Sequence, residues 1–255
     1  MNKKLIVAIA LVLLLTAFIA VILTSVDKKL MRKAIEIKGR IAIVIDDWGY
    51  NLHNLEIAQG IKQPLTCAIL PNLKNSRLVA QKLNNSGFEI ILHLPMEPKE
   101  KYRLEKNTIT ASMEAGEIRG ILGQDLASIS FAKGISNHMG SRITEDTRVS
   151  ALIMSEAKKR KLYFLDSYVT AKSVCALLAR KMKIRFARRD VFLDNQDDPV
   201  YIKGQIIKLR DLAKKNGQAI GIGHDRRNTL VALKEAIPQL AKAGYKLVFV
   251  SELAK

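Results

Sequence analysis

Aromatic residues are scarce in this chain, at 5% with a single tryptophan, and it holds only two cysteines and six prolines. Two cysteines cannot build the disulfide framework of a small secreted scaffold. Cys67 and Cys175 read as small buried hydrophobes, in a predicted strand and a predicted helix, and one bridge between them stays compatible with the sequence. No stretch is rich enough in proline or serine to be a disordered linker, and no segment repeats at a fixed period, which excludes a solenoid or a modular array. A glycine-rich phosphate loop is missing, and no serine sits in a nucleophile elbow, so nucleotide-driven phosphoryl transfer and serine-hydrolase chemistry find no support. Neither cysteine ends a predicted strand, which argues against a thiol nucleophile.

Acidic residues are also in the minority, with 24 against 42 Lys and Arg, for a formal net charge of +18. Such a surface attracts anionic polymers or lipid headgroups, although a lysine-rich composition spread over a solvated surface gives the same total. No nucleic-acid-binding motif accompanies the charge, and nucleic acid is not an expected partner. No dedicated protein partner is expected either.

The amino terminus differs from the rest. Lys3 and Lys4 precede an uncharged apolar run, Leu5–Thr24, of 20 residues. As a helix this run is roughly 30 Å long, enough to cross a bilayer. The apolar part of a cleaved signal peptide is typically about 7–15 residues, and Ser25–Lys29 offers no small-x-small cleavage site. The reading is an uncleaved transmembrane signal anchor and its flank over residues 1–33, followed by one domain over 34–255. Lys28, Lys29, Arg32 and Lys33 outnumber Lys3 and Lys4, a count that alone would keep the domain in the cytoplasm. A signal at the very amino terminus normally exports the rest of its chain. The expected location is therefore the bacterial cell envelope, with the domain exported and tethered to the inner or cytoplasmic membrane.

Beyond the anchor, short apolar runs alternate with helical patterns. Predicted strands cover Ile41–Ile45, Thr66–Leu70, Glu89–His93, Gly134–Asn137, Leu162–Leu165, Ile184–Ala187, Gln218–Gly223 and Lys246–Val250. Predicted helices lie near 54–61, 74–85, 113–127, 146–160, 171–182, 200–216 and 229–243, and Gly87, Gly217 and Gly244 come after three of them as stop signals. Continuous apolar strands alternating with helices imply parallel βα units. The expected fold is α/β, a distorted parallel barrel of seven or eight βα units, with a doubly wound open sheet as the other option.

In either architecture, chemistry sits where strand carboxyl ends meet loops. The first predicted strand runs straight into Asp46-Asp47, two adjacent carboxylates that are costly beside an apolar strand unless paired or metal-bound. The third ends in His93, the fourth runs into His138, and the strand at Gln218–Gly223 ends in His224. Three of the four histidines in the chain thus occupy equivalent strand ends. The fourth, His53, is placed on an exposed helix surface. Asp166, Arg189 and Asp194 come after two further strands. Imidazole and carboxylate suit zinc or another first-row divalent cation. Such a cation lowers the pKa of a bound water to about 7 and polarises a carbonyl.

These residues resemble a known family. The run IAIVIDDWGYN, Ile41–Asn51, is similar to the first motif of polysaccharide deacetylases, a hydrophobic strand ending in Asp-Asp. GFEIILHLPMEP, Gly87–Pro98, lines up with their second motif, typically Gly-His-Glu-Ile-Gly-Asn-His-Thr-x-x-His-Pro, with His93 on the first ligand histidine and Glu97 replacing the second. That departure, with Asn137–Arg142, Phe164–Ser167, Arg189–Asp194 and Ile220–His224, resembles the divergent polysaccharide deacetylase group over roughly residues 40–252. The resemblance implies a distorted (β/α) barrel with Asp46 as base, Asp47 and His93 as ligands of a divalent metal such as zinc, and His224 as acid. Asp166 is expected to orient His224, and Arg189 to neutralise Asp46 or bind substrate. His138 is taken as the third ligand, with Glu97, flanked by Pro95 and Pro98, as the alternative. Trp48, Asn137 and Asp194 are expected to contact substrate, with Tyr50 beside Trp48 as a second ring for stacking on a sugar.

The function implied is metal-dependent removal of acetyl groups from an envelope polysaccharide such as peptidoglycan. Two other readings compete. One is a glycoside hydrolase using Asp46 with Asp166 or Asp194 as its carboxylate pair. The other is a non-catalytic glycan-binding or assembly protein that keeps the barrel.

Overall fold

The computed structural model describes residues 14–19, 21 and 37–255. Most of the expected anchor, Leu5–Thr24, lies outside those residues, and among the described residues no helix is long and apolar enough to cross a membrane. Lys38–Lys255 form one compact unit.

Its sheet contains β1 (Gly39–Trp48), β2 (Thr66–Ile69), β3 (Glu89–Met96), β4 (Gly134–Met139), β5 (Tyr163–Asp166), β6 (Phe186–Arg188), β7 (Val191–Phe192), β8 (Gln218–His224) and β9 (Tyr245–Val248). The helices are α1 (Leu55–Gln59), α2 (Ser76–Asn85), α3 (Ala115–Ser128), α4 (Thr147–Lys159), α5 (Cys175–Met182), α6 (Pro199–Asn216), α7 (Arg227–Lys242) and the short α8 (Val250–Leu253). Strand pairings are parallel in the order β6-β5-β4-β3-β2-β1-β8-β7, with β9 beside the start of β1. The two ends of this order are joined by Arg189 and Asp190 alone. Arg189 N–H donates to Asp166 O on β5, and Asp190 N–H donates to Ile220 O on β8. The sheet therefore curls into a half-barrel of the (β/α) type. The two-residue strand β7 is too short to leave a periodic signal, and it is absent from the predicted strands.

Alternation along each strand divides the core in two. Ile41, Ile43 and Ile45 of β1, Ile90 and Leu92 of β3, Ile135 of β4 and Phe164 of β5 pack outward against the helices. Ala42, Val44, Ala68, Ile91, Tyr163, Leu165, Ile220 and Ile222 face the other way and fill the curl. Val250, Leu253 and Ala254 close it from the amino-terminal ends of the strands. Small residues make room for Tyr163: a Cβ on Gly134 would lie 2.6 Å from that ring. Tyr163 hydroxyl donates to Glu89 Oε1 at 2.9 Å, which also accepts from Thr66 Oγ1 and from Ser251 N–H. Cys67 and Cys175 are both free and buried.

One buried acid is poorly satisfied. Asp125 on α3 has no exposed surface, and Asn72 Nδ2 donates to its Oδ1 at 2.6 Å while Oδ2 has no partner. Burial pushes its carboxyl up from 3.8 to about 6. The folded state thus holds this proton more tightly than the unfolded chain, so its contribution to stability falls as pH rises from about 4 through 6. Asp125→Asn is expected to reduce the loss of unfolding free energy between pH 5 and pH 7.5 by about 1–2 kcal/mol, measured by urea denaturation at both values. An unchanged pH dependence would refute the assignment.

Candidate metal centre

The site is built by a break in strand alternation. Val44 and Ile45 pair with Thr66 and Cys67, but the next partner of β2 residue Ile69 is Trp48, so β1 carries one residue too many. That residue is Asp47, with φ of +64°. In a regular strand Asp46 and Asp47 would point to opposite faces. The bulge turns Asp47 back beside Asp46, and Trp48 then falls on the helix-facing side. Aspartate is among the few residue types that tolerate this backbone region. Asp225 N–H donating to Asp46 O, and Leu70 N–H to Trp48 O, both at 2.9 Å, fix the two sides of the bulge.

His93 on β3 and His138 on β4 are inward positions two strands and three strands away from β1. His93 Nε2 lies 3.2 Å from Asp47 Oδ1 and 3.2 Å from His138 Nδ1, and His138 Nδ1 lies 3.0 Å from Asp47 Oδ1. The three atoms form a nearly equilateral triangle, and the three residues make a group able to hold a metal ion. Bonds of about 2.0–2.1 Å at tetrahedral angles need donor separations of roughly 3.3 Å, so the triangle has the right size for one face of a zinc-like coordination shell. Two observations support that fit. Asp47 Oδ1 is buried and makes no hydrogen bond of acceptable geometry, despite its two short contacts. Its charge, against the pull of burial, is held by His138 and His93, which draw its carboxyl well below the usual carboxylate range. The second nitrogen of His93 is not free to turn: Nδ1 is 2.8 Å from Ser136 Oγ, two residues before His138 on the same face of β4.

Asp46 is the other carboxylate at the mouth. It is 2% exposed, its Oδ1 has no partner, and its Oδ2 stands 3.6 Å from His93 Nε2. Burial pushes its carboxyl up, against the opposing charges of His93 and His224. His224 is the register partner of Asp46 on β8. Its Nδ1 is 2.8 Å from Asp194 Oδ1, and its backbone N–H donates to Asp194 Oδ2 at 2.8 Å. Thr229 Oγ1 donates to that same Oδ2 at 2.7 Å. Burial works against a charged imidazole here, but Asp194 outweighs it and holds the His224 pKa above its ordinary value. The ring of Phe192 stacks on His224 at 6.0 Å, and the Arg189 guanidinium lies 3.5 Å from the centre of Phe192.

Several expected roles do not fit these positions. Trp48 is fully buried among helix-facing side chains and cannot stack on a sugar. Tyr50 remains exposed, and its hydroxyl donates to Glu105. Asn137 is 1% exposed because it is an outward position of β4, and its amide is used up by Met139 O and Ser167 N–H. Asp194, with no exposed surface, positions His224 instead of touching substrate. Asp166 shares the outward side of Phe164. Its oxygens accept from Tyr168 N–H and Ser173 Oγ, so Asp194 and not Asp166 orients His224. Glu97 accepts from Ala111 N–H at 2.7 Å and Arg142 Nη1 at 3.1 Å, turned away from the triad. Arg189 donates to the carbonyls of Ser167 and Tyr168, and makes no ion pair with Asp46 among the described residues. Ser136, Thr229 and Phe192 carry contacts that strand-end reading does not single out. Ser136 was findable, since a residue two before an inward histidine shares its face.

The divergent polysaccharide deacetylase family matches residues 43–254. The uncharacterized protein YibQ of Escherichia coli (strain K12) is 36% identical over 202 residues, 79% of this chain and 63% of that one, so the chain spans less than two thirds of that relative's length. The crystal structure of the uncharacterized protein ATU2773 from Agrobacterium tumefaciens C58 superposes with a TM-score of 0.82 at 25% identity, over 85% of this chain and 89% of that one. A family 4 acetyl xylan esterase from Clostridium thermocellum, solved in complex with a cobalt ion, superposes with a TM-score of 0.52 at 16% identity, over 84% and 89%, a likeness of fold alone. With its matched segment covering nearly all of the half-barrel, the chain belongs to the divergent polysaccharide deacetylase family.

Proposed function

We propose that this protein is a metal-dependent hydrolase that removes acetyl groups from an envelope polysaccharide, peptidoglycan being the first candidate. The observation that carries this reading is the triangle of Asp47, His93 and His138 donor atoms, 3.0–3.2 Å on a side, next to a carboxylate with an unpartnered oxygen. A divalent cation such as zinc, held by those three residues, would supply Lewis-acid polarisation of the acetyl carbonyl and a water of lowered pKa. The cobalt-bound esterase of the same fold is consistent with such a cation. The envelope assignment rests on the uncharged run Leu5–Thr24.

The remaining chemistry belongs to side chains. Asp46 sits beside the triad with one oxygen free, and its raised pKa brings it nearer the range suited to a general base that accepts the proton of the attacking water. As the carbon–nitrogen or carbon–oxygen bond to the acetyl group breaks, the leaving atom needs a proton. His224 can provide it, because Asp194 at its Nδ1 raises the pKa of the imidazole and leaves Nε2 as the donor. Products are acetate and a free amine or hydroxyl. Phe192 and Arg189 pack behind His224 and limit its rotation. The glycoside hydrolase alternative loses its second carboxylate, since both oxygens of Asp166 and of Asp194 are engaged inside the fold.

Two outcomes are expected. In equilibrium dialysis against Zn²⁺, His93→Ala and His138→Ala each abolish stoichiometric binding, and Ser136→Ala weakens it about tenfold by freeing the His93 ring. Glu97→Gln leaves binding unchanged. Retention of metal by both histidine variants would remove the centre. In acetate-release assays on acetylated peptidoglycan and O-acetylated glycans, Asp46→Asn slows turnover by about 10²–10⁴-fold with metal content preserved. A metal-loaded wild type that releases no acetate from any of these polymers would contradict the hydrolase assignment.

A further inference from the structure

We infer that the end of the sheet remote from the metal triad docks on a membrane surface through anionic phospholipid headgroups. The triad occupies the carboxyl ends of the strands. At their amino ends the loops enclose a cleft of about 650 Å³, lined by Lys133, Arg160, Lys161 and Arg185 with Phe88 and Phe131 among them. The acid in this lining, Glu89, is 8% exposed and already accepts three hydrogen bonds, from Thr66, Tyr163 and Ser251.

Basic residues at this end have an ordinary explanation that covers part of the set. The last turns of α2, α4, α5, α6 and α7 all carry Lys or Arg, which offset the negative ends of the helix dipoles. That account does not extend to Lys133, Lys161 and Arg185, which lie in connections between helices and strands. Lys133 and Lys161 have no carboxylate within ion-pair distance among the described residues. Arg185 is spent on a carbonyl, Ser251 O, and Arg160 shares Glu156 with Lys159. Lys133, Lys161 and Arg185, facing one cleft with only the buried Glu89 as a carboxylate in its lining, repel each other, and an external anion relieves that repulsion. Phe131, 37% exposed, gives the rim an apolar edge that a bilayer interface accepts.

The path of the chain favours lipid over a free polyanion. Lys38 N–H donates to Gly244 O, and Gly39 opens β1, so the preceding residues join the domain at this same end. Those residues include the uncharged run Leu5–Thr24 and then Lys28, Lys29, Arg32 and Lys33. A domain docked this way directs the triad away from the bilayer by the length of its strands, about 25 Å at roughly 3.3 Å per residue. The docking does not depend on the metal reading.

The test uses the full chain with Phe131→Cys, labelled with a fluorophore, the native Cys67 and Cys175 being buried. The protein is placed in nanodiscs that carry a nitroxide quencher on the lipid headgroup. In discs containing phosphatidylglycerol the label is quenched, and quenching is lost in pure phosphatidylcholine discs and at high salt. Lys133→Glu and Lys161→Glu together lower the docked-to-free ratio about 25-fold or more, near fivefold for each charge. The lipid and salt comparisons need no further variant, so a double variant that fails to fold does not shield the idea. Equal quenching in neutral discs overturns it. So does a soluble polyphosphate that displaces the label from phosphatidylglycerol discs at phosphate concentrations below that of the lipid, which would mark the cleft as a polyanion site.

Discussion

The candidate site depends on one extra residue in β1. Sheet geometry allows only alternate side chains of a strand to meet at the mouth of the curl. Asp46 satisfies that rule and Asp47 breaks it. The left-handed backbone at Asp47, at φ +64°, turns a position that should face the helices toward His93 and His138. A strained conformation of this kind costs on the order of 1–3 kcal/mol and persists only where its surroundings fix it. Here the hydrogen bonds of Asp46 O with Asp225 and of Trp48 O with Leu70 provide that restraint, and the fully buried Trp48 anchors the exit of the bulge.

Bringing two carboxylates together separates their chemistry. Asp47 receives two imidazoles and is held strongly ionised, and Asp46 is left buried with an unpartnered oxygen and a raised pKa. Two adjacent aspartates thereby shift in opposite directions, Asp46 upward through burial and Asp47 downward through its two imidazole partners, the pattern that distinguishes a ligand from a proton acceptor. A third aspartate, Asp194, completes the set from behind. It has no exposed surface and does not enter the site directly, but it orients the His224 ring through Nδ1 and holds that residue's backbone N–H. Each of the three acids does different work because β1, its bulge and the β7–α6 connection put it in a different environment.

Strand ends are visible in the sequence because apolar runs stop abruptly at polar residues. Those stops place Asp46, Asp47, His93, His138 and His224 at one mouth, and the structure puts those five residues there on β1, β3, β4 and β8. Direction is less legible. Counting from the outward residues Ile135 and Phe164 gives Asn137 and Asp166 outward positions, so alternation alone would have removed both from the list of residues facing substrate or His224. Trp48 could not have been settled by counting, since the bulge shifts the count between Ile45 and Trp48. The role of Asp194 is hidden for another reason. It comes after β7, a strand of two residues with no readable period, and it reaches His224 across 30 positions of sequence.

The rise of an extended strand explains why Glu97 is not a ligand although it occupies the place of a ligand histidine in the standard family motif. It lies just beyond the end of β3, which runs to Met96 through Pro95. Extended backbone carries residue 97 more than 10 Å from residue 93 at about 3.3 Å per residue, where a helical turn would have brought the two together. A ligand four positions after His93 is therefore out of reach of the triangle while the strand continues. The third donor must come from an adjacent strand. His138 meets that condition: β3 pairs with β4 in parallel, Pro95 opposite His138, and the histidine's ring reaches back toward His93. Glu97 in place of the motif histidine and His138 one strand over then belong to a single geometric fact, the continuation of β3 as extended chain past His93 to Met96.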